Sequence, residues 1–475
     1  MPDSRTRKWY LAVTVTASGG AFLAMLDSTV ISLAIADVKD DFAGASVTGL
    51  SWIVSVYAIM FAAFLPTTGK LSDALGRRRL FCVGVGLFTI ASVLCSFAPN
   101  LLTLIIARAV QGVGAAAMIP ASLAILLLDG PADRRSSSIG LWTAASAGGA
   151  ALGPSIGGVL IELSSWRAVF IINIPFGIAL VVAALRLLDA PGETSARRIP
   201  DPLASVLIAV GIGALTLGVT EGGNWGWSSG GTLGSFAAGL LALSYALLRS
   251  QRHPAPAIDT VLWGNRTFAT ANIVMVLYGM AQYAFMLVTV LYLTDIWNYS
   301  ELRAGLANTP GALSASIVAV VAGRLAPKLG GPRSATVFGL IVFGACCTWL
   351  AFGLTEQPAF LFFWLPACLL AGTGLGAATT GVSAAAALSA PPNMFASASG
   401  MNTTARQFGG ALGIAAMASI LAHGGQESGG TDPYSDVFVF SLALVGLALV
   451  ISAIGLRLGA PAAAPAPAEP AQSQT

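Results

Sequence analysis

Apolar runs of about 20 residues occur fourteen times along this chain of 475 residues. An α-helix of about that length spans the hydrocarbon core of a bilayer and satisfies all of its own backbone hydrogen bonds there. The pattern therefore predicts an all-α polytopic membrane protein with 14 transmembrane helices. The runs lie near residues 10–37, 49–69, 80–98, 101–128, 138–161, 168–188, 202–221, 232–249, 268–297, 304–326, 334–354, 359–388, 396–422 and 436–457.

The composition excludes several classes of protein. Hydrophobic residues make up 56% of the chain and charged residues only 9%, whereas about 25% of residues are charged in a soluble domain. The net charge is +3 and its basic residues are dispersed, so we expect a lipid bilayer and no nucleic acid as a partner. The five cysteines all lie within apolar runs, which indicates packing residues and neither disulfides nor a metal site.

The distribution of Lys and Arg orients the chain. If the N-terminus is cytoplasmic, nineteen of the 24 basic residues fall on the cytoplasmic side, and Arg108 and Arg406 fall within helices. Only Lys39, Arg167 and Arg303 then face the outside. This bias is the positive-inside pattern, and it predicts a multi-pass protein of the cell membrane with both termini in the cytoplasm. The first apolar run has no convincing cleavage site, so we interpret it as an uncleaved first span.

An internal repeat divides the chain. The segment "GKLSDALGRRR" at 69–79 matches "GRLAPKLGGPR" at 323–333 in five of eleven positions. Each copy follows the second helix of a six-helix set if helices 7 and 8 are an insert, which is a transporter architecture with its substrate site between the two halves. The predicted domains are an N-terminal six-helix bundle (1–189), a two-helix insert with cytoplasmic linkers (190–267), a C-terminal six-helix bundle (268–458) and a disordered Pro/Ala tail (459–475).

One acidic residue falls deep within a predicted span. Asp27 lies in "LAMLDSTVISLAI", where a charge costs about 2.5–3.5 kcal/mol even on the insertion scale. The other acids near spans, Glu162, Glu221 and Asp295, are predicted to lie at outer helix ends. Because burial and a nearby cation act on a carboxyl group in opposite directions, Asp27 is our candidate for carrying a coupling proton.

Arg108 is the corresponding cation of helix 4, in "LIIARAVQGVGAAA". It could extend to the outer interface, but it lies about five residues inside the helix. The alternative is that it faces the bundle interior, where it is a possible partner for Asp27.

The turn between helices 2 and 3 is a candidate cytoplasmic gate. Gly69 and Gly76 allow a tight turn, and Asp73 stands four residues before Arg77, within pairing reach on a helical turn. The alternative is that the basic residues only anchor the topology. Pro327 takes the place of the acid in the second copy, so only the first copy keeps the charged pair.

Helix 5 contains "GAALGPSIGG", which includes Gly149, Gly153, Pro154, Gly157 and Gly158. Proline removes a helical hydrogen bond and bends the helix, while small residues four apart allow a neighbouring backbone to approach closely. Other polar and aromatic residues within spans are candidates for a substrate cavity, although each could simply be a helix-packing group. They are Trp52, Tyr57, Gln111, Asn173, Tyr283, Asn402 and Arg406.

These motifs together closely resemble the major facilitator superfamily, specifically its fourteen-helix drug/proton antiporter branch. The resemblance is carried by Gly69 to Leu80, by Arg108 with Gln111 and Gly112, and by Gly149 to Gly158. The helix 1 motif of the branch is matched by Asp27 and Thr29, but Ser32 and Ala36 stand where the family has Asn and Pro. The resemblance extends from Asp27 to about Gly413.

The resemblance implies proton-driven export by alternating access, in which the loop motif closes the cytoplasmic side, Arg108 assists proton coupling, and the kinked helix 5 favours exchange over leak. We therefore expect a monomeric efflux transporter whose partners are protons and a lipophilic small molecule, cationic or neutral. The single deep carboxylate makes us expect monovalent cations or neutral compounds to be handled better than dications.

The main alternative is a proton-coupled exporter of an endogenous metabolite such as a self-made antibiotic, an amino acid or a lipid. Enzymatic activity is not expected, because the only two histidines, His253 and His423, are predicted to lie in loops. No ATP-binding loop is present, so we expect no cofactor and a proton gradient as the driving force.

Overall fold

The structure, a computed structural model, describes residues 4–42, 47–188, 200–427 and 430–456 and is almost entirely helical there. The predicted all-α fold is thereby confirmed. Long helices account for all fourteen predicted spans: α1 (Ser4–Asp41), α2 (Val47–Leu75), α3 (Arg77–Ser96), α4 (Leu101–Asp129), α5 (Arg135–Leu163), α6 (Ala168–Ile171 and Asn173–Leu187), α7 (Pro202–Trp225), α8 (Gly230–Ser250), α9 (Arg266–Asp295), α10 (Glu301–Leu325), α11 (Pro332–Gly353), α12 (Leu365–Leu388), α13 (Phe395–Glu427) and α14 (Asp432–Gly455).

Thirteen of the described helices are long and apolar enough to cross a membrane. The exception is α13, which contains the polar residues Asn402, Arg406 and Gln407. Its 33 residues extend for about 50 Å, which is ample to cross a bilayer, and it packs between α2 and α9. His423 lies in α13 and not in a loop, which corrects the sequence interpretation. The predicted tail, 459–475, is outside the described residues.

Side-chain caps and glycine turns set several helix boundaries. The Asn100 side chain accepts a hydrogen bond from the Thr103 amide at the start of α4, and Asn265 caps α9 in the same way. Gly76, with φ 101°, separates α2 from α3. Gly330, its counterpart in the second repeat copy, has φ 100° between α10 and α11. Because side chains rarely adopt this backbone region, both copies of the repeat require glycine at the same place.

The helices form two packed groups and an insert. Within each group, glycines let backbones touch, as Gly84 and Gly114 do between α3 and α4 and as Gly339 and Gly374 do between α11 and α12. The insert helices α7 and α8 pack mainly on each other, and α7 also lies against α2 and α13. The limits 1–189, 190–267 and 268–458 stay predictions.

The two groups meet closely at one end of the molecule. We call it the basic end, because it carries the α2–α3, α4–α5 and α10–α11 junctions with Lys70, Arg77 to Arg79, Arg134, Arg135, Arg324, Lys328 and Arg333. There α2 crosses α13, and α5 crosses α10. The crossings place Asp27, Arg108 and Arg406 farther along the helices, inside the bundle.

Backbone contact at the crossings depends on glycine. A methyl group built at Gly69 would lie 2.6 Å from the Ala396 oxygen, and one at Gly400 would lie 2.6 Å from the Leu65 oxygen. The second crossing mirrors the first, because a methyl group at Gly323 would lie 2.6 Å from the Ser136 oxygen. Gly140, the counterpart of Gly400, is equally tight against Ala319. No larger residue fits at these positions unless the helices move apart.

Candidate functional site

Asp27 forms the centre of a buried polar cluster inside the first bundle. Its carboxylate is 3% exposed and accepts three hydrogen bonds from side chains of α4 and α6. Arg108 Nη1 donates to Oδ2 at 2.5 Å, while Gln111 Nε2 and Asn173 Nδ2 donate to Oδ1 at 2.8 Å and 2.7 Å. These three donors offset part of the cost of burying the carboxylate.

Arg108 faces the bundle interior and is 0% exposed, which excludes the outer interface as its position. Its Nε donates to the Ile53 carbonyl at 3.1 Å, and its guanidinium carbon lies 4.3 Å from the centre of the Tyr57 ring. Its Nη2 has no hydrogen-bond partner among the residues that the structure describes. The guanidinium is thus bound on one edge by Asp27 and on one face by an aromatic ring.

Gln111 and Asn173 do not line a cavity. Both are fully buried, and both donate to Asp27. Gln111 also accepts from Arg108 Nη1 at 2.7 Å and donates to Ser92 Oγ at 2.9 Å. The prediction of a substrate-cavity position for these two residues is therefore corrected: they hold the carboxylate and the guanidinium in place.

The glycines of α5 bring this helix against the segment of α1 that carries Asp27. A methyl group at Gly157 would lie 3.0 Å from Val30, and those at Gly149 and Gly153 would collide with Phe22 and Thr29. Because these contacts lie both before and after Asp27 in the sequence, α1 has little freedom to move relative to α5. Pro154 and Gly158 lie in the same helix, and the side chain of Pro154 is outside what the structure describes.

The candidate gate residues have partners other than those expected. Asp73 accepts hydrogen bonds from the Ala396 and Ser397 amides at 3.3 Å and 2.8 Å and from Ser397 Oγ at 2.6 Å, all in the first turn of α13. Arg77 forms an ion pair with Asp129 at the end of α4. The prediction that Asp73 and Arg77 pair with each other is wrong, because the turn at Gly76 directs them to different helices.

Two other arginines, one in each copy of the repeat, bind carbonyl groups at helix ends. Arg78 donates to the Leu185 carbonyl at 2.7 Å, in the last turn of α6. Arg333, in the second copy of the repeat, donates to the Ala453 carbonyl at 2.7 Å in the last turn of α14. A cation is favourable at a helix C-terminus, so both arginines have structural contacts in addition to any effect on topology.

A second polar group lies between α9 and α13 in the other bundle. Asn402 is buried and within 3.5 Å of Asn272, and the Tyr283 hydroxyl donates to Gln407 Oε1 at 2.5 Å. Arg406 is half-buried, and its Nε has no hydrogen-bond partner among the described residues. These candidates are therefore brought together on two adjacent helices, with Arg406 as their only charge.

Two further outcomes concern the sequence candidates. Tyr57 is 4% exposed and stacks on Arg108, so it belongs to the Asp27 cluster, whereas Trp52 is half-buried on the same helix. Glu221 is 1% exposed within α7, where Asn224 donates to it at 3.0 Å. Glu221 lies four residues before Trp225, where α7 ends, which agrees with its predicted position at a helix end.

Several residues of the site were not predicted. Ser92 and the Ile53 carbonyl bind the Asp27 cluster, and Gln282 Oε1 in α9 is buried without a partner in the described part of the chain. Serines and backbone carbonyls are too common in spanning helices to signal such a role. Gln282 gives a weak signal, since it is an uncharged polar residue within an apolar span.

Comparisons with known proteins agree with this architecture. The family model of the Major Facilitator Superfamily matches residues 17–414. The multidrug resistance protein Stp of Mycobacterium tuberculosis is 30% identical over 412 residues, which cover 86% of this chain and 76% of that protein. The cephamycin export protein CmcT of Amycolatopsis lactamdurans is 33% identical over 467 residues, which cover 95% and 94%.

Two other proteins extend the comparison. The methylenomycin A resistance protein of Streptomyces coelicolor is 30% identical, with 93% of this chain and 91% of that protein covered. The crystal structure of the human organic anion transporter MFSD10 superposes with a TM-score of 0.66 at 16% identity, covering 92% of this chain and 99% of that chain, and shows the shared fold. The match over most of the chain, together with the two mirrored bundles, establishes that this protein belongs to the Major Facilitator Superfamily.

Proposed function

We propose that this chain is an efflux transporter that exports lipophilic small molecules in exchange for protons by alternating access. The observation that carries the proposal is the buried Asp27 cluster, in which a carboxylate is held by an arginine from another helix. The relatives support export, since their names describe multidrug resistance, cephamycin export and methylenomycin A resistance. Proton coupling is our inference from the cluster.

The chemistry of the cluster supports coupling. Protonation of Asp27 would remove its attraction for Arg108 and convert one oxygen from an acceptor to a donor. The partners of Asp27 and Arg108 come from α2, α4 and α6, so a change of protonation would alter contacts among four helices, α1 included. A proton would thus favour one arrangement of the first bundle over another.

The crossings at the basic end support alternating access. The contacts of α2 with α13 and of α5 with α10 close this end, and Asp73 fastens α2 to the first turn of α13. The positive-inside pattern makes the basic end cytoplasmic, so the arrangement described is closed toward the cytoplasm. We place both termini in the cytoplasm and the protein in the cell membrane, working as a monomer without a cofactor.

The proposal is tested in proteoliposomes by recording proton movement with a pH-sensitive dye while candidate drugs and antibiotics are added. The wild-type protein should release protons when an exported compound is added. Asp27→Asn should lose this release, because the amide of asparagine does not take up and release a proton at the pH of the assay. Full proton release by Asp27→Asn would overturn the proposal.

A control substitution separates loss of coupling from a general effect of charge removal. Asp41, at the end of α1, is exposed and pairs with Arg167 and with Trp166 Nε1. Asp41→Asn removes an identical carboxylate far from the cluster and should retain substrate-driven proton release.

A second candidate function is export of one particular metabolite. It is favoured by the relatives whose names refer to export of a single compound, such as CmcT and the tetracenomycin C resistance and export protein of Streptomyces glaucescens. The same assay separates the two candidates, because a multidrug transporter should respond to several unrelated compounds and a dedicated exporter to one.

A further inference from the structure

Three charges lie deep within the spanning helices of the two bundles: Asp27, Arg108 and Arg406. The first two form an ion pair, which neutralises both. Among the described residues, Arg406 forms no ion pair, and its guanidinium makes no hydrogen bond. The interior therefore carries an excess of one positive charge, which is costly unless something supplies the opposite charge.

Arg406 is far from either membrane surface. It lies eleven residues beyond Phe395, where α13 begins at the basic end, and that distance corresponds to about 16 Å of helix. The hydrocarbon core of a bilayer is about 30 Å thick, so Arg406 is near its middle. Since α13 packs against α2, α4 and α9, the residue lies inside the protein, where its side chain is half-buried.

No acid of the described helices around α13 forms an ion pair with Arg406. Asp73, in α2, binds the first turn of α13 at Ala396 and Ser397, about 14 Å below Arg406 along the helix. Glu221, in α7, lies 19 residues beyond Pro202, or about 28 Å from the basic end, and thus about 12 Å above Arg406. Asp27 is already bound to Arg108.

The surroundings of Arg406 are suited to a polar ligand group. A methyl group at Gly279 would lie 3.1 Å from the Arg406 Cα, so the backbones of α9 and α13 touch here. One turn farther along α9, Gln282 Oε1 is buried without a partner in the described chain, and Tyr283 binds Gln407. An unpaired cation and an unpaired acceptor thus lie on adjacent helices, about one turn apart.

We propose that Arg406 binds a carboxylate, or another singly charged anionic group, of the exported compound. The inference rests on the proposed efflux function and specifies its substrate class as lipophilic organic acids and zwitterions. A guanidinium binds a carboxylate through charge-assisted hydrogen bonds, so the cargo provides the missing counter-charge of the second bundle. This class differs from the cationic or neutral compounds that the sequence suggested.

The test compares two dyes that differ at one group. Rhodamine 110 carries a free carboxylate, and rhodamine 123 is its methyl ester. Their export is measured in proteoliposomes with the wild-type protein and with Arg406→Gln. We expect Arg406→Gln to lower export of rhodamine 110 by about tenfold to 100-fold, the effect of losing a charged hydrogen bond. Export of rhodamine 123 should be unchanged.

Two further variants control for charge and geometry. Arg303→Gln removes a cation that stacks on Tyr299 at the exposed end of α10, and it should affect neither dye. Arg406→Lys keeps the charge and should retain part of the rhodamine 110 export. The retained export of rhodamine 123 by Arg406→Gln also shows that this variant is folded.

The possible outcomes separate this proposal from the efflux function. If Arg406→Gln lowers the export of both dyes equally, or of neither, the proposal is overturned. It is also overturned if the wild-type protein exports rhodamine 123 but not rhodamine 110, or if it exports other compounds and neither dye inhibits that export. In these last two cases the efflux function stands. A protein that exports no compound at all overturns the efflux function itself.

Discussion

At the scale of residues, the Asp27 cluster shows how a charge can remain inside a membrane protein. Both carboxylate oxygens accept hydrogen bonds, and the donors belong to Arg108, Gln111 and Asn173. Two atoms nevertheless remain without a partner in the described chain, Arg108 Nη2 and Asn173 Oδ1. Most polar atoms of the network are thus paired, and a change of protonation at Asp27 would require several of these hydrogen bonds to rearrange together.

Gln111 is expected to be essential for the stability of this network. Gln111→Ala would remove a donor to Asp27 and to Ser92 and an acceptor for Arg108. Leaving buried polar groups unpaired should lower the free energy of unfolding by about 1–3 kcal/mol. The measurement is denaturant unfolding in detergent, with Gln251→Ala at the exposed end of α8 as the matched control. Equal effects of the two substitutions would contradict the role of Gln111.

Part of this cluster could be predicted from the sequence. Charges in apolar helices are rare, so Asp27 and Arg108 were recognised as functional candidates from the sequence alone. The partners could not be identified, because Gln111 and Asn173 are equally compatible with a cavity wall, and their contacts depend on how the helices are packed. For the same reason the unpaired state of Arg406 could not be read from the sequence.

At the scale of helices, the two crossings at the basic end are contacts between backbones, and they are our candidate for the gate. The α2–α13 crossing depends on Gly69 and Gly400, and the α5–α10 crossing depends on Gly323 and Gly140. Each pair joins the second helix of one bundle to the fifth helix of the other. Because no side chains separate the backbones, a small added volume should force the gate apart.

Gly400→Val tests this gate. Its side chain would collide with the Leu65 carbonyl, so the variant should favour the arrangement in which the basic end is open. Spin labels at the exposed positions Leu75 and Pro392, at the ends of the crossing helices, should report a longer distance than in the wild type.

The matched control for this substitution is Gly446→Val in α14. A methyl group at Gly446 would meet nothing within 4 Å, so the distance between the labels should not change. An unchanged distance in Gly400→Val would show that the crossing tolerates added volume and does not act as the gate.

The insert helices provide a pH-dependent prediction. Asp201, before α7, accepts hydrogen bonds from Arg249 at the end of α8, and these lower the pKa of the carboxyl below its usual 3.8. A lowered pKa in the folded state stabilises the fold above the ordinary pKa, and the effect is lost as pH falls through the lowered value. We therefore expect Asp201→Asn to unfold at a lower temperature than the wild type at pH 7.

The difference between Asp201→Asn and the wild type should shrink as the pH falls below the ordinary pKa of 3.8, because the carboxyl group of Asp201 is then increasingly protonated and neutral, as the amide is. Melting curves of both proteins in detergent across this pH range provide the measurement. A difference that is independent of pH would mean that Asp201 acts only as the cap of α7, where it accepts from the Leu203 amide.

Helix boundaries were predicted less accurately than helix number. The second span was predicted at 49–69, but α2 continues to Leu75 and ends only at Gly76. Hydropathy detects the part of a helix that lies in lipid, whereas the helix itself ends where a cap or a glycine stops it. The repeat at 69–79 and 323–333 located the two turns correctly, because both need glycine at the same place.

At the scale of the whole molecule, two similar bundles carry different chemistry. The first bundle contains the carboxylate and its arginine, and the second contains Arg406 without an acid partner in the described chain. The repeat predicts that the two bundles share one helix arrangement, while the differences between them lie in single residues such as Asp73 and Pro327. We infer a division of labour in which the first bundle binds the proton and the second binds the cargo.

The unpaired charge of Arg406 has an electrical consequence. Moving one elementary charge through a potential of 100 mV changes the free energy by about 2.3 kcal/mol. If the proposed alternating access exposes Arg406 to each side of the membrane in turn, the fraction of the voltage that this charge experiences would differ between the two arrangements. The empty carrier would then itself be voltage-sensitive, and a bound anion would cancel that sensitivity.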